Sequence, residues 1–300
     1  MPNITPTVAQ YFIPEIWAQR ALEILRGNIV LARLVARDSA DDRFVTGDVL
    51  HIPYPGTFTA QNKAAGSTVT LQAPTGSEVT VTLDKHKEVS FLIEDVARAQ
   101  ANQNIMDRYL NAAVPAIANA IEDDLFALYT SLTSSVGTSG TDISAATVRS
   151  ARKKLNDNLA PVAPRVLIIS PKDEIALLAD SNLGAYFANA RAEAVAEGSI
   201  GRLYGFDVYM SQRVPVVSGT PNSTKNLALH PEAFILAMRA LPEPPAGTGV
   251  FATTVRDPDS DLVIRVQFAY NPSYLGLQVT LDVLYGVAVL RNALGCVVLS

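Results

Sequence analysis

Residues 93–132 constrain this chain more than any other stretch. Met106, Leu110, Ala113, Ile117, Ile121, Leu125 and Leu128 recur at every third or fourth position, which places them on one face of a helix. At ~1.5 Å per residue such a helix would reach about 60 Å, against the ~30 Å breadth of a small compact domain. Pro115 has no N–H for the ladder and its ring clashes one turn back, so a kink or a break is expected there. Glu94 and Asp95 fall in the expected first turn, where negative charge suits the helix dipole. A rod of this length, between a β-rich and an α/β segment, implies a subunit shaped for assembly.

The bulk properties narrow the classes around that rod. A chain of 300 residues with 48% hydrophobic and 18% charged residues has the composition of a folded soluble protein. A net charge of −5 argues against a broad basic surface for gripping nucleic acid. The single cysteine, Cys296, leaves no intrachain disulfide and fits a reducing cytoplasm. Its apolar neighbours in 293–299 make it a small core residue. Residues 1–12 show neither a basic nor a long apolar region, so no signal peptide is expected. No apolar run approaches the ~18 residues of a membrane span, and the sequon at Asn222 reads as chance.

Residues 1–13 read as an extended arm, and Pro14 opens a helix that Gly27-Asn28 punctuates. Arg26, Arg33 and Arg37 are spaced by seven and four, so they would share one helix face. That face is either a weakly basic stripe toward DNA or a solvated surface beside Asp38, Asp41 and Asp42. Between 45 and 93 the texture changes. Residues 49–52 and the alternating 78–83 are candidate strands. The Gly-, Thr- and Ala-rich stretch between them is too long for a structureless loop in a compact domain. It fits a two-stranded projection whose apolar positions a neighbouring molecule buries, because an isolated hairpin is only marginally stable.

Residues 133–140 read as a linker. An α/β alternation follows, with Ser144 and Ser170 as helix caps, Pro171 at the first helical position and 165–169 as a buried strand. Two long strands end the chain. Leu275, Leu277, Val279, Leu281, Val283, Tyr285, Val287 and Val289 keep a period of two. Gly286 and Ala288 leave the opposite face without bulk, so another backbone can approach it closely.

Chemistry-bearing constellations are scarce. His51, His86 and His230 are far apart and suit sheet-surface or local hydrogen-bonding roles. No nucleophile elbow, phosphate loop or dinucleotide fingerprint occurs. The glycines at 198, 201 and 205 precede a strand, so turn geometry fits them better than a phosphate cradle. Asp257 to Asp261 imitate a calcium loop but lack its glycine and its terminal Glu. Glu122, Asp123 and Asp124 are consecutive on a helix, point in different directions and read as a solvated face. Catalytic, cofactor and metal sites are therefore not expected.

The segment 198–215 nevertheless resembles one seen in major capsid proteins of tailed double-stranded DNA phages, the Hong Kong 97-type fold. Its G-x-x-G-x-x-x-G-x-x-V-x-x-S-x-x-x-P pattern is met by Gly198, Gly201, Gly205, Val208, Ser211 and Pro215. Residues 227–235 and 285–291 are similar to that family too, and the order of elements agrees. The resemblance implies an α+β capsid fold: N-terminal arm and helix over 1–44, extended β loop over 45–92, and spine helix with peripheral subdomain over 93–140. Residues 260–290 would complete the peripheral part, and 141–259, joined by 291–300, would form an axial subdomain around five-fold and six-fold axes. The loop tip at Gln61, Asn62, Lys63 and Gly66 would lie across a neighbouring subunit.

Some relatives crosslink a lysine of this loop; Lys63 is the candidate, with no acceptor identifiable. The short N-terminal region implies a separate scaffolding protein. The implied partners are further copies as pentamers and hexamers, a portal, a decoration protein and packaged double-stranded DNA, with no membrane. The implied location is the virion, after assembly in the host cytoplasm. An encapsulin-like compartment sharing the fold and a soluble α/β enzyme are the competing expectations.

Overall fold

The computed structural model describes residues 14–37, 49–54, 58–73, 76–96, 105–180, 201–245, 247–257 and 261–300. In chain order the elements begin with α1 (Pro14–Asn28), a 3-10 turn at Leu31–Arg33, β1 (Ala36–Arg37), β2 (Val49–Tyr54), β3 (Ser77–Thr82) and β4 (Lys85–Glu94). Then follow α2 (Ile105–Ala127), β5 (Ser135–Gly137), α3 (Ala145–Asp157), β6 (Val166–Ile169) and α4 (Pro171–Ala179). The rest is strand: β7 (Arg202–Leu203), β8 (Phe206–Met210), β9 (Val216–Val217), β10 (Ser223–Leu229), β11 (Phe234–Arg239) and β12 (Val250–Arg256). The last are β13 (Val263–Asn271), β14 (Gly276–Val289) and β15 (Gly295–Leu299).

The architecture is α+β, with two sheets. The first is organised on β14, which carries β4 antiparallel along one edge. β13 and β11 share its other edge, pairing with 276–282 and 284–289. β12 lies outside β13, and β1 joins β11 in parallel. The period of two appears as burial: Val279, Leu281, Val283 and Tyr285 are at most 2% exposed. Leu275 departs from the expected register. It sits in the turn before β14 at φ 46° and is exposed.

α2 and α1 cover this sheet. Leu110, Ala113, Ile117, Ile121 and Leu125 are buried as the spacing requires, each large one contributing about 1.5–3 kcal/mol. Val114, Ala118 and Phe126 are buried too, because α1 covers the flank. Trp17 of α1 meets Phe268 of β13 edge to face at 5.2 Å. Residues 93 and 94 close β4 and so fall outside the expected rod, while 97–104 and the Met106 side chain lie outside the described residues. Within the described residues α2 has 23 residues, about 34 Å. Pro115 lies inside this continuous helix and does not split it. The carbonyl it deprives is that of Asn111, which is exposed, so solvent takes the acceptor that the ladder loses.

The second sheet runs β5-β15-β10-β6-β8-β7, with β9 on the end of β10. Every residue of β6 is buried. Ser144 caps α3 by accepting from the Thr147 N–H, and Ser170 caps α4 from the Asp173 N–H with Pro171 next.

Strand pairing cuts across the expected boundaries. β11 and β12, inside the 141–259 segment, belong to the first sheet, because long β14 offers β11 its second half and β13 recruits β12 as a hairpin partner. β4 belongs there too, so only β2 and β3 remain of the 45–92 strands, paired as a separate two-stranded ribbon. Leu50, Val81 and Leu83 seat that ribbon on Ile235 and Ala237 of β11, with Ala288 alongside. A Cβ on Gly286 would collide with the Thr82 carbonyl. The missing bulk at Gly286 and Ala288 is therefore where the ribbon backbone lies.

Candidate functional site

Three groups of residues carried functional expectations: the glycine segment, the loop tip and the arginines. In the glycine segment, Gly198 lies outside the described residues. Gly201 sits at φ 65° and its carbonyl accepts from the Val208 N–H at 2.8 Å. Tyr204 (φ 46°) and Gly205 (φ 85°) form a two-residue turn between β7 and β8, the geometry that a tight hairpin demands. Arg152 of α3 donates to the Tyr204 carbonyl at 3.0 Å. Val208 pairs with Leu167 of β6. Ser211 is buried, donates its N–H to the Ile169 carbonyl and accepts the Arg213 N–H on its hydroxyl. The Pro215 carbonyl accepts from the Lys225 N–H. These residues pin β8 into the second sheet, and among the described residues no helix N-terminus is seen to face them.

The loop tip is different. Gln61, Asn62, Lys63 and Gly66 are all exposed. Ala64–Ser67 form a turn with Gly66 at φ 81°. The two arms are linked by the Gln72 side chain, which accepts from the Thr59 N–H and donates to its carbonyl. Phe58, Val69 and Leu71 are 69%, 66% and 90% exposed. The ribbon is paired only at its base; residues 58–73 form no strand.

The arginines do not share a helix face. Arg26 ends α1, Arg33 lies in the 3-10 turn and Arg37 in β1, because the chain breaks at Asn28 and again after Arg33. Arg26 lies 3.5 Å from Asp257, and Arg37 donates to the Ala32 carbonyl through Nε and Nη2. Asp257 and Asp261 stand in the same electrostatic neighbourhood as Arg37. Arg33 lines a shallow recess of ≈ 200 Å³ with Ile29, Val30, Leu34 and Tyr209.

The acidic triplet also departs from a solvated face. Glu122 is 1% exposed and accepts the N–H groups of Val30, Leu31 and Ala32 at 2.9–3.1 Å. Burial pushes its carboxyl above the usual range while those three N–H groups pull the other way. The 3-10 turn begins after Val30, which has no capping side chain, so a carboxylate from α2 supplies the acceptors. A helical turn opened by valine was the one signal of this in the sequence. Asp123 forms a bidentate pair with Arg213 of the second sheet's β8–β9 connection. Asp124 accepts from the Tyr285 hydroxyl at 2.7 Å and sits near Lys85 and Lys87.

The remaining reactive types have local partners. His51 pairs across strands with Glu78, His86 reaches Asp282 at 2.9 Å, and His230 Nδ1 accepts the Glu232 N–H. Cys296 is fully buried in β15, with burial pushing its thiol up to about 11.

Where the two sheets meet, Asn292 ties the chain crossings together. Its Oδ1 accepts from the N–H and hydroxyl of Thr133, and its Nδ2 donates to the Ser131 carbonyl. The Leu290 and Arg291 N–H groups both reach the Ala233 carbonyl. This arrangement holds two lobes as one body and presents one long, unburied arm.

Comparisons with known proteins are consistent with that form. A family model described as phage capsid protein matches residues 76–297. A structure from Mycobacterium phage Che8 is similar at 22% identity and TM-score 0.64, covering 90% of each chain. The capsid of cyanophage P-SCSP1u is similar at 15% identity and TM-score 0.65, covering 90% of this chain and 87% of that one. A virus-like particle from Pyrococcus furiosus is similar at 11% identity and TM-score 0.53, covering 95% and 98%. No curated protein matches the sequence.

Proposed function

This chain belongs to the phage capsid protein family, and on that premise we propose that its copies close, as pentamers and hexamers, into an icosahedral head around packaged double-stranded DNA. It is a shell-forming structural protein, so its work is mechanical and not catalytic. The observation that carries the assembly reading is the arm at 58–73, with Phe58, Val69 and Leu71 exposed beyond a well-seated base. Apolar area of that kind stabilises when a neighbour covers it, at ~25 cal/mol per Å². The six-stranded sheet with α2 is the peripheral part of the subunit, and the seven-stranded sheet is the axial part. A separate scaffolding protein, a portal and a decoration protein complete the assembly in the host cytoplasm, and the virion is the final location.

Deleting residues 61–67 tests this. Negative-stain microscopy of the parent chain should show hollow particles tens of nanometres across. The deletion should abolish them while the soluble chain keeps its circular dichroism and melting transition. Particles formed normally without the tip would overturn the intersubunit role. The less favoured second reading is a compartment for protein cargo; the Pyrococcus particle shows that the fold also builds a virus-like particle. DNA-free particles with protein inside, purified from the native source, would support it.

A further inference from the structure

The exposed face of α3 is the most basic part of this acidic chain. Its sequence, AATVRSARKKLND, buries Val148, Ala151 and Leu155. Arg149, Lys153 and Lys154 are exposed on the other side, with Arg152 half-buried between them. Arg149 and Lys153 are one turn apart, so their charges fall on one stripe. The described residues of the second sheet with its helices, 141–180, 201–229 and 291–300, hold ten Lys or Arg against six Asp or Glu, within a chain of net charge −5. A basic region of this kind inside an acidic chain marks a surface for a polyanion.

The side chains are also arranged. Arg149 stacks over the Tyr204 ring at 5.5 Å from its centroid and donates to the Tyr204 hydroxyl at 3.1 Å. Arg152 donates to the Tyr204 carbonyl at 3.0 Å. The Tyr204-Gly205 turn therefore holds two guanidinium groups in place, and neither has a carboxylate partner among the described residues. Lys154 has none there either. Lys153 is held by Asp157 at 2.7 Å, and Arg202, at the base of the same hairpin, lies 3.6 Å from Asp207. A guanidinium fixed before contact loses less freedom when it meets a phosphate.

We propose that the α3 face, centred on Arg149, Lys153 and Lys154, binds the phosphate backbone of duplex DNA and is the part of the subunit turned toward the packaged contents. This rests on the shell reading above and moves the DNA-facing cations from Arg26, Arg33 and Arg37 to a different lobe. Arg26 and Arg37 share their surroundings with Asp257 and Asp261, whereas the α3 stripe has one carboxylate, Asp157. Duplex DNA carries a phosphate charge about every 1.7 Å along its axis, and contacts of this kind are sequence-independent and salt-sensitive.

The test is fluorescence anisotropy of a labelled 30-base-pair duplex with the full-length chain, at protein concentrations below assembly and 50 to 200 mM NaCl. Three phosphate contacts predict a slope of log affinity on log salt of roughly −2.7. The variant R149Q/K153Q/K154Q should bind at least tenfold more weakly at 50 mM with a slope near zero, and R26Q/R33Q should behave as the parent. Melting by circular dichroism verifies that each variant is folded, and the double variant K153Q/K154Q serves if Arg149→Gln disturbs the hairpin. Equal affinity and slope in parent and triple variant would overturn the proposal. So would loss of particles with unchanged DNA binding, which would make this face a contact between copies. If the parent chain forms no particles, the shell reading fails, while the salt titration still decides whether α3 binds DNA.

Discussion

The ribbon of β2 and β3 and the arm it carries are one continuous excursion of the chain, yet they meet opposite fates. At the base, Leu50 and Val81 are buried against β11, and Gly286 admits the Thr82 backbone. Sixteen residues beyond Thr82, at Gly66, every side chain is in solvent. Local pattern alone does not separate them, since Thr and Val alternate both at 79–82 and at 68–70. The base has a surface from its own chain to cover it, and the arm has none; on the proposed shell reading a neighbour covers it. Substitutions at the base and in the lobes should therefore be read in folding, and those in the arm in assembly.

The sharpest break in that division would come from Glu122→Ala. It leaves three N–H groups at residues 30–32 without their acceptor, each costing about 1–3 kcal/mol when buried. We expect a loss of about 3–5 kcal/mol in urea unfolding, with a lowered midpoint and unchanged slope. Next, Gly286→Val should cost about 2–3 kcal/mol by overpacking, and limited proteolysis should now cut within 49–82. Cleavage and stability equal to the parent would mean that the ribbon is not held by that seat. Leu71→Ser should change stability by less than about 0.5 kcal/mol, the range of exposed positions, and yet reduce the yield of closed particles. The smallest effect should be at Cys296. Its thiol, raised to about 11 by burial, should resist a thiol reagent at pH 8 and react only on unfolding.

Much of the base was legible before any coordinates. The period of two through 277–289 located β14, and the absence of bulk at Gly286 and Ala288 announced an approaching backbone. Ser144, Ser170 and Pro171 marked the starts of α3 and α4 because capping is a local, side-chain-to-backbone matter. The failures share a cause in sequence distance. Glu122 meets its donors about 90 residues away, so nothing near it announced its burial. The spacing of Arg26, Arg33 and Arg37 presumed one helix, and the break at Asn28 removed that premise. The placement of β11 and β12 depended on which strand of another region offered a free edge, a choice that local pattern does not encode. For the arm, a projection without a core of its own was legible in the stretch between the two strands, but the expected pairing holds only at the base, and 58–73 form no strand.

The seat at Gly286 has a mechanical consequence. It acts as the clamp of a cantilever whose free end is the turn at Gly66. Sixteen positions along the chain separate Thr82 from Gly66, a contour of at most roughly 50 Å, so a tilt of about 5° at the clamp would move the tip by up to roughly 4 Å. That is about the width of one side chain. The aim of the arm is therefore set where the arm is fixed, and Gly286, far along the chain from the tip, governs where that tip points.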